Sequence, residues 1–279
     1  IIGSGPSGLS TALHLARIAP ELRPATLILE KARHPRAKLC AGGILAEGEA
    51  ILEKLGLDLR EVPHVNVDKA HLDYKGRGMV ARLLTKGPIF RVVRRDEFDG
   101  WLANKVREVG IAIKEEVTVK SVEPFDDHVL IKTDQGDFHA KVVVGADGSN
   151  SIVRRAVEKH PRQHVGRALE VITPIHNILS SRSKRSDLQP NDAIAATPSA
   201  SRNDIHNQAF FDFCAVPQGI SGYVWDFPTQ INGEPMRCWG IYDSNTIPRP
   251  NRAPLRQVLA DEMADHGYDL DDYELKGHP

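Results

Sequence analysis

Three features of the sequence predict an α/β chain, α+β overall. The first is a glycine-rich turn, Gly3 to Gly8, set between the apolar pair Ile1-Ile2 and a segment with helical spacing. The second is a group of three strand-like runs after Gly110, split by polar turns at Asp126-Asp127 and Asp134-Gln135-Gly136. The third is a late set of strands near Ala209–Ala215, Tyr223–Phe227 and Arg237–Tyr242. Together they predict a Rossmann-like nucleotide domain carrying a three-stranded β-meander, followed by a mostly antiparallel β-sheet domain.

Each element has its own reason. Leu9, Ala12, Leu13 and Ala16 stand at i, i+3, i+4 and i+7, which predicts a helix that Pro20 stops. Thr26-Leu27-Ile28-Leu29-Glu30 is a short apolar strand, so the first thirty residues read strand, glycine turn, helix, strand: a βαβ unit. A parallel strand normally has several residues before such a turn, and only two are present, so the sequence reads as cut inside that strand. A basic stretch (Lys31, Arg33, Arg36, Lys38) precedes a helix from about Leu45 to Leu55, with Gly56 as its C-cap. His71 to Leu84 reads as a hairpin around Lys75-Gly76-Arg77-Gly78. From Asp96, the residues Phe98, Trp101, Leu102, Val106 and Val109 keep helical spacing up to Gly110. After the meander, Lys141-Val142-Val143-Val144 reads as a strand ending at Gly145-Ala146-Asp147-Gly148. Ser180 to Asn207 is a long polar loop. Strands resume after it, Pro228 is expected to end the Tyr223–Phe227 strand, and a helix from Pro254 to His266 follows.

Composition narrows the function. With 279 residues, 41% of them apolar, the chain can bury a sizeable core, which excludes disorder of the whole. Thirty-six basic against 37 acidic side chains leave a net charge of −1, so no electrostatic footprint of a nucleic-acid binder is present. Three cysteines (Cys40, Cys214, Cys238) are too few for a disulfide scaffold and point to a reducing compartment. No apolar run approaches the roughly 18 residues of a membrane span, and the expected location is the cytoplasm. The 12 histidines lack metal-ligand spacing, so no metal is expected. Ser149 and Ser151 lack the strand-turn-helix context of a hydrolase nucleophile.

The chemistry begins at Gly3, Gly5 and Gly8, which match G-x-G-x-x-G. The first glycine permits the tight turn, the second lets backbone approach a pyrophosphate, and the third lets helix pack on strand; Ser7 lies inside the same turn. Glu30, followed by Lys31, ends the next strand, where a carboxylate suits a ribose 2′-hydroxyl.

Val144-Gly145-Ala146-Asp147-Gly148-Ser149-Asn150-Ser151, with Arg154 after it, resembles the second flavin fingerprint of the two-dinucleotide-fold flavoprotein oxidoreductases. The same residues also suit a plain strand-to-helix turn with Ser149 or Asn150 as N-cap. Lys38-Leu39-Cys40-Ala41-Gly42-Gly43 resembles the K-x-C-[GA]-G-G segment of the geranylgeranyl reductase family, flavoenzymes that saturate isoprenoid double bonds. Tyr223-Val224-Trp225-Asp226-Phe227-Pro228 is similar to that family's Y-x-W-x-F-P motif, and Arg95 with Phe98 and Asp99 to its R-x-x-F-D element.

The resemblance implies FAD as resident cofactor, held by Gly3, Gly5, Ser7, Gly8, Glu30, Lys31, Cys40, Ala41, Gly42, Gly43, Arg95, Val119, Asp147 and Gly148. It implies a substrate surface at Tyr223, Trp225 and Phe227, with Cys40 as the catalytic candidate and an external electron donor, NAD(P)H or reduced ferredoxin. It divides the chain into an FAD-binding domain over 1–160, with 62–93 lending strands to the other domain, and a substrate domain over 161–279. A lipid substrate also brings an expectation of peripheral membrane contact. The family's closing G-D-A flavin element does not occur before Pro279, so the sequence reads as truncated there too. Residue chemistry alone leaves alternatives open: Cys40 as a small buried hydrophobe, Arg95 in a surface ion pair, and the aromatic alternation as core packing. At the level of function, the alternatives are an aromatic or alkene monooxygenase, a flavin-dependent halogenase, and a non-enzymatic prenyl-binding escort.

Overall fold

The computed structural model describes residues 1–74, 78–81, 87–158, 165–175, 205–246 and 251–278. The chain begins with α1 (Pro6–Ile18), a 3-10 turn at Pro20–Ala25, β1 (Leu27–Leu29), β2 (Gly43–Leu45) and α2 (Ala46–Lys54). Next come β3 (His64–Val67), β4 (Lys69–Asp73), β5 (Met79–Ala81), β6 (Phe90–Val93) and α3 (Arg95–Glu108). Then β7 (Ala112–Lys114), β8 (Val119–Pro124), β9 (Val129–Thr133), β10 (Gly136–Ala140) and α4 (Ile152–Val157) follow. The last elements are β11 (Arg167–Pro174), β12 (Gln208–Asp212), β13 (Gly222–Ile231), β14 (Glu234–Asp243), α5 (Leu255–Ala264) and β15 (Lys276–His278). The long polar loop lies almost wholly outside the described residues, as do the tip of the β4–β5 hairpin and residues 82–86.

The chain forms two compact units. Unit 1 comprises Ile1–Lys38, Glu49–Val62 and Arg95–Gln163; unit 2 comprises Leu39–Gly48, Pro63–Arg94 and His164–Pro279.

Unit 1 has the parallel pairing that a βαβ unit demands. β1 pairs in parallel with β7, and Ile2 bridges in parallel to both Leu29 and Gly145. α1 buries Leu9, Ala12, Leu13 and Ala16, the four positions its spacing picks out. The meander is antiparallel in the order β10-β9-β8. Its inward residues Val119, Val122 and Ile131 pack with Ile2, Leu29, Val117 and Val153.

One expected strand is absent. Lys141 to Val144 forms no ladder; Val142 is 76% exposed and only the Val144 carbonyl is engaged, accepting from the Ile2 N–H at 2.9 Å.

Unit 2 is a seven-stranded sheet, β15-β11-β14-β13-β12-β4-β5, antiparallel except where β12 meets β4. Period two splits its side chains between two faces. On one face Val171, Val224, Trp239 and Ile241 pack against Val258, Leu259 and Met263 of α5. On the other, Trp225, Phe227, Cys238 and Ala209 pack against Val67, Phe90 and Val92 of the three-stranded sheet β2-β6-β3.

Pro228 does not end its strand: β13 continues to Ile231, with Pro228 opposite Arg237 of β14. β12 pairs only with residues 224–226 of β13, so Pro228 lies past the stretch where both strand edges are occupied. A strand with one open edge tolerates proline.

Candidate functional site

In unit 1 the two glycine motifs are built against each other. The Ala146 N–H donates to the Ile2 carbonyl at 2.8 Å and the Gly3 N–H to the Leu29 carbonyl at 2.8 Å. Gly3 has φ +97°, and a Cβ there would lie 2.4 Å from the Ala146 carbonyl oxygen; one at Gly8 would lie 2.0 Å from the Gly3 oxygen. These are spatial requirements for glycine, independent of any pattern match. Gly5 is the N-cap of α1 and Pro6 follows it, so no side chain caps the first turn. That helix end keeps its capacity for an anion.

Glu30 is 5% exposed, and its Oε2 accepts from the Ser4 N–H at 2.8 Å and the Ser4 hydroxyl at 2.7 Å. Burial pushes its carboxyl up, but the hydrogen bonds from Ser4 and the Ala32 N–H, with the charge of Arg36, outweigh that and hold it below the usual range. Arg36 continues the array. Its Nε is 3.7 Å from Glu30 Oε2, its Nη2 is 3.3 Å from Asp99 Oδ2, and Nη2 is 3.5 Å from where a Gly5 Cβ would stand. Asp99 is fully buried and also takes a bidentate pair from Arg95, at 2.8 and 2.9 Å. Beside it, the His34 Nε2 lies 2.7 Å from the Ser4 hydroxyl. Burial and the Arg36 charge push the His34 imidazole down, against Glu115, Glu30 and Asp99, which raise it. Arg36 Nε and His34 Nδ1 are buried with no hydrogen-bond partner. A buried donor left without an acceptor is costly, and a phosphate or ribose oxygen is the chemistry that would complete it.

The remaining unit 1 candidates divide. Asp147 caps α4, accepting from the Ser151 hydroxyl at 2.6 Å and the Ile152 N–H at 2.6 Å, and Ser151, rather than Ser149 or Asn150, is the N-cap. Gly148 has φ +81° with open space around it, Lys31 is exposed, and Ser7 lies in the first turn of α1. The Val119 side chain is in the core beneath the meander. Sequence reading missed Ser4, His34 and Arg36 as site residues. Asp99 it placed only inside a motif.

In unit 2 the Cys40 segment meets the aromatic strand. Ala41 and Tyr223 pack on the cluster that holds Trp225, Phe227 and Cys238. A Cβ at Gly43 would touch both Phe90, at 3.5 Å, and Phe227, at 3.8 Å. Gly42 has φ +80°, and a Cβ there would lie 2.0 Å from the Val93 oxygen, so position 42 admits no side chain. The Gly42 N–H donates to Cys40 Sγ at 3.4 Å, and Cys40 is exposed. Trp225 and Phe227 are 5% and 6% exposed, while Tyr223 is half-buried and in ring contact with Phe211, Phe213, Trp225 and Tyr242. Glu170, which no motif marked, lies on the same face with a carboxyl pushed up to about 7 by burial.

Among the described residues, Asp212, Cys214 and Glu262 bring three ligand atoms within 4.8 Å of one another. Burial and the two carboxylates push the Cys214 thiol far up, and its Sγ donates to Glu262 Oε2 at 3.4 Å. A thiol held that firmly in its protonated form is a poor metal ligand.

Known proteins resemble this chain over its whole length. It is 25% identical over 279 residues to an uncharacterised protein of Methanosarcina barkeri, of which it spans 61%. It is 29% identical over 168 residues to Protein FixC of Bradyrhizobium diazoefficiens, covering 55% of this chain and 37% of that one. A geranylgeranyl bacteriochlorophyll reductase-like protein of Thermoplasma acidophilum superposes on 99% of this chain and 64% of its own, with TM-score 0.68 at 21% identity. The flavin-dependent halogenase CmlS gives TM-score 0.65 at 20% identity, over 99% of this chain and 48% of its own. Residues 1–187 match the FAD binding domain family, the stretch that contains the paired glycine turns, Glu30, Arg36, Asp99 and Arg95. This chain belongs to that FAD binding domain family.

Proposed function

We propose that the protein is an FAD-dependent reductase of carbon–carbon double bonds in an isoprenoid, geranylgeranyl-type lipid or prenylated precursor. The carrying observation is the seating of the Cys40–Gly43 turn against the Tyr223–Trp225–Phe227 face within one unit. Two adjacent glycines beside Cys40 suit close approach of backbone to a flat ring, and an aromatic wall suits a prenyl chain. The unit 1 residues fit the cofactor: Glu30 would take the adenosine ribose, while the α1 N-terminus, Gly5 and Arg36 would face its phosphates. When bound, the flavin supplies hydride chemistry. The chain's own part is to orient the alkene, exclude water and hold the balancing proton.

NAD(P)H or reduced ferredoxin is the proposed electron source. A cytoplasmic enzyme touching the membrane surface fits a lipid substrate, and no helix among the described residues is long and apolar enough to cross a membrane.

The test is anaerobic reoxidation of the dithionite-reduced, full-length flavoprotein by geranylgeranyl lipids, followed at the flavin absorption bands. Rapid reoxidation with loss of the double bond supports the reading. Turnover that demands O₂ assigns the protein instead to monooxygenase or halogenase chemistry. A protein that takes up no flavin would be a prenyl-binding escort.

A further inference from the structure

Glu170 stands on β11, opposite Gly240 of β14 and Lys276 of β15. Its neighbours Leu169 and Val171 pack toward α5, whereas Ala168 packs with Trp225 and Phe227. Alternation therefore places the Glu170 side chain on the aromatic face. Gly240 leaves the space beside it to Trp225, whose Cζ2 lies 2.1 Å from where a Gly240 Cβ would be. Around the carboxyl group are the Cys238 thiol, the Cys40 backbone N–H and, across the strand, the Lys276 ammonium.

The residue is 7% exposed and its Oε2 has no hydrogen-bond partner. A buried carboxylate without a charged hydrogen-bond partner is expensive, and holding a proton removes most of the cost. Burial drives the carboxyl up to about 7, and Cys238, Cys40 and Lys276 only partly oppose it. The Cys40 backbone N–H meets this carboxyl, and Cys40 itself is exposed, so the acid adjoins a residue open to solvent. A glutamine would fill the same volume without the burial cost.

We propose that Glu170 is the acid of this site, holding the proton taken up by the alkene carbon that does not receive hydride. The inference rests on the isoprenoid-reduction reading above. One alkene carbon takes a hydride, with its two electrons, from reduced flavin. The π pair then forms a C–H bond at the neighbouring carbon with the Glu170 proton. The carboxyl O–H bond breaks and leaves its electrons on the carboxylate, which faces the Cys40 N–H, Cys238 and Lys276. Solvent returns the proton after turnover. Sequence reading offered only Cys40 for this role; here Cys40 contributes its backbone N–H.

The experiment compares the full-length wild type with Glu170→Gln and Glu170→Asp, each verified as folded by circular dichroism. In infrared difference spectra of the resting protein, a protonated-carboxyl C=O band titrating near pH 7 should be present and vanish in Glu170→Gln. In the anaerobic assay, flavin reduction by dithionite should be unchanged. Reoxidation by the prenyl lipid should slow by roughly a hundred- to ten-thousand-fold in Glu170→Gln, with partial recovery in Glu170→Asp. Wild-type reoxidation should fall as pH rises through about 7, a dependence lost in the glutamine variant. A Glu170→Gln protein as fast as wild type, or the absence of the carboxyl band, overturns the assignment while leaving alkene reduction intact. A wild type that no prenyl lipid reoxidises overturns the parent reading and this role with it.

Discussion

Arg36 joins Glu30 to Asp99: its guanidinium lies 3.7 Å from one carboxylate and 3.3 Å from the other, beside the Gly5 N-cap of α1. Since Arg95 also binds Asp99, two segments far apart in the chain, Glu30–Arg36 and Arg95–Asp99, converge on one charge array beside the nucleotide turn. Two carboxylates and two guanidiniums balance, which is what allows Asp99 to be fully buried.

Under the proposed assignment of Glu30 to the adenosine ribose, that array makes the position sensitive to substitution. Glu30→Gln keeps the shape but removes the negative charge that receives Ser4 and faces Arg36. Loss of a charge-assisted hydrogen bond to the ribose should cost about 1.5–3 kcal/mol, a fall in FAD affinity of roughly ten- to a hundredfold. Glu30→Arg, which also sets a cation against Arg36, should leave the purified full-length protein nearly colourless. Flavin fluorescence titration of the apoprotein measures both, and unchanged affinity in Glu30→Gln would show that this carboxylate does not hold the ribose.

How much of this was legible follows from the physics of each feature. Local periodicity carried α1 and the meander, because a helix stripe and a polar turn are written in neighbouring residues. Gly3, Gly8 and Glu30 were legible because the turn and strand that position them are contiguous. Arg36 and Asp99 were not paired in advance, since an ion pair between distant segments leaves no periodic trace. Glu170 carries no motif or periodic signal; the Cys40 N–H and Cys238 thiol that meet it come from distant segments brought together only on folding. Pro228 was misread as a terminator because edge occupancy belongs to the sheet, not to the residue.

The raised carboxyl of Glu170 gives stability a definite pH slope. Its pKa is about 7 folded against an ordinary 4.5, so between those values the folded state binds more protons than the unfolded one. Stability therefore falls as pH rises from about 4.5 to about 7 and is level beyond. The contribution of this group reaches roughly 3 kcal/mol at most. Urea unfolding of wild type and Glu170→Gln at pH 5 and pH 8 should show the variant gaining on the wild type at the higher pH. Equal differences at both would mean the carboxyl is not buried in its ionised form.

Asp226, inside the aromatic motif, has a structural task. It faces α5 rather than the aromatic cluster, and its Oδ1 accepts from Arg237 Nε at 2.6 Å with Arg237 fully buried. Arg237 Nη2 also donates to the Gln208 and Asp226 carbonyls, at 3.0 and 2.9 Å. Removing one partner of a buried pair leaves a charge stranded, at a cost of about 3–5 kcal/mol. Asp226→Ala should accordingly lower the melting temperature sharply or prevent soluble expression. A melting temperature close to wild type would show that water or another acceptor replaces the carboxylate.

Trp225 tests whether the aromatic face serves substrate as well as packing. The side chain is 5% exposed, lies over Gly240 and belongs to the cluster of Phe90, Phe227 and Cys238. Truncation of a buried tryptophan costs about 3–5 kcal/mol, so Trp225→Ala is expected to be clearly less stable than wild type. A face that also receives a prenyl chain adds a second effect. An indole against a lipid tail contributes about 2–3 kcal/mol of apolar contact, felt most by substrates long enough to reach it. Tyr223, half-buried beside Trp225, should then show the length effect with the smaller stability loss. KM for a short and a long prenyl lipid, with melting temperatures for Trp225→Ala and Tyr223→Ala, separates the two. A rise in KM for the long lipid in both variants, whatever their stability, places the chain along this face. Loss of stability with the same KM ratio for both lipids confines Trp225 to the core, because packing alone has no means of sensing the length of a bound tail.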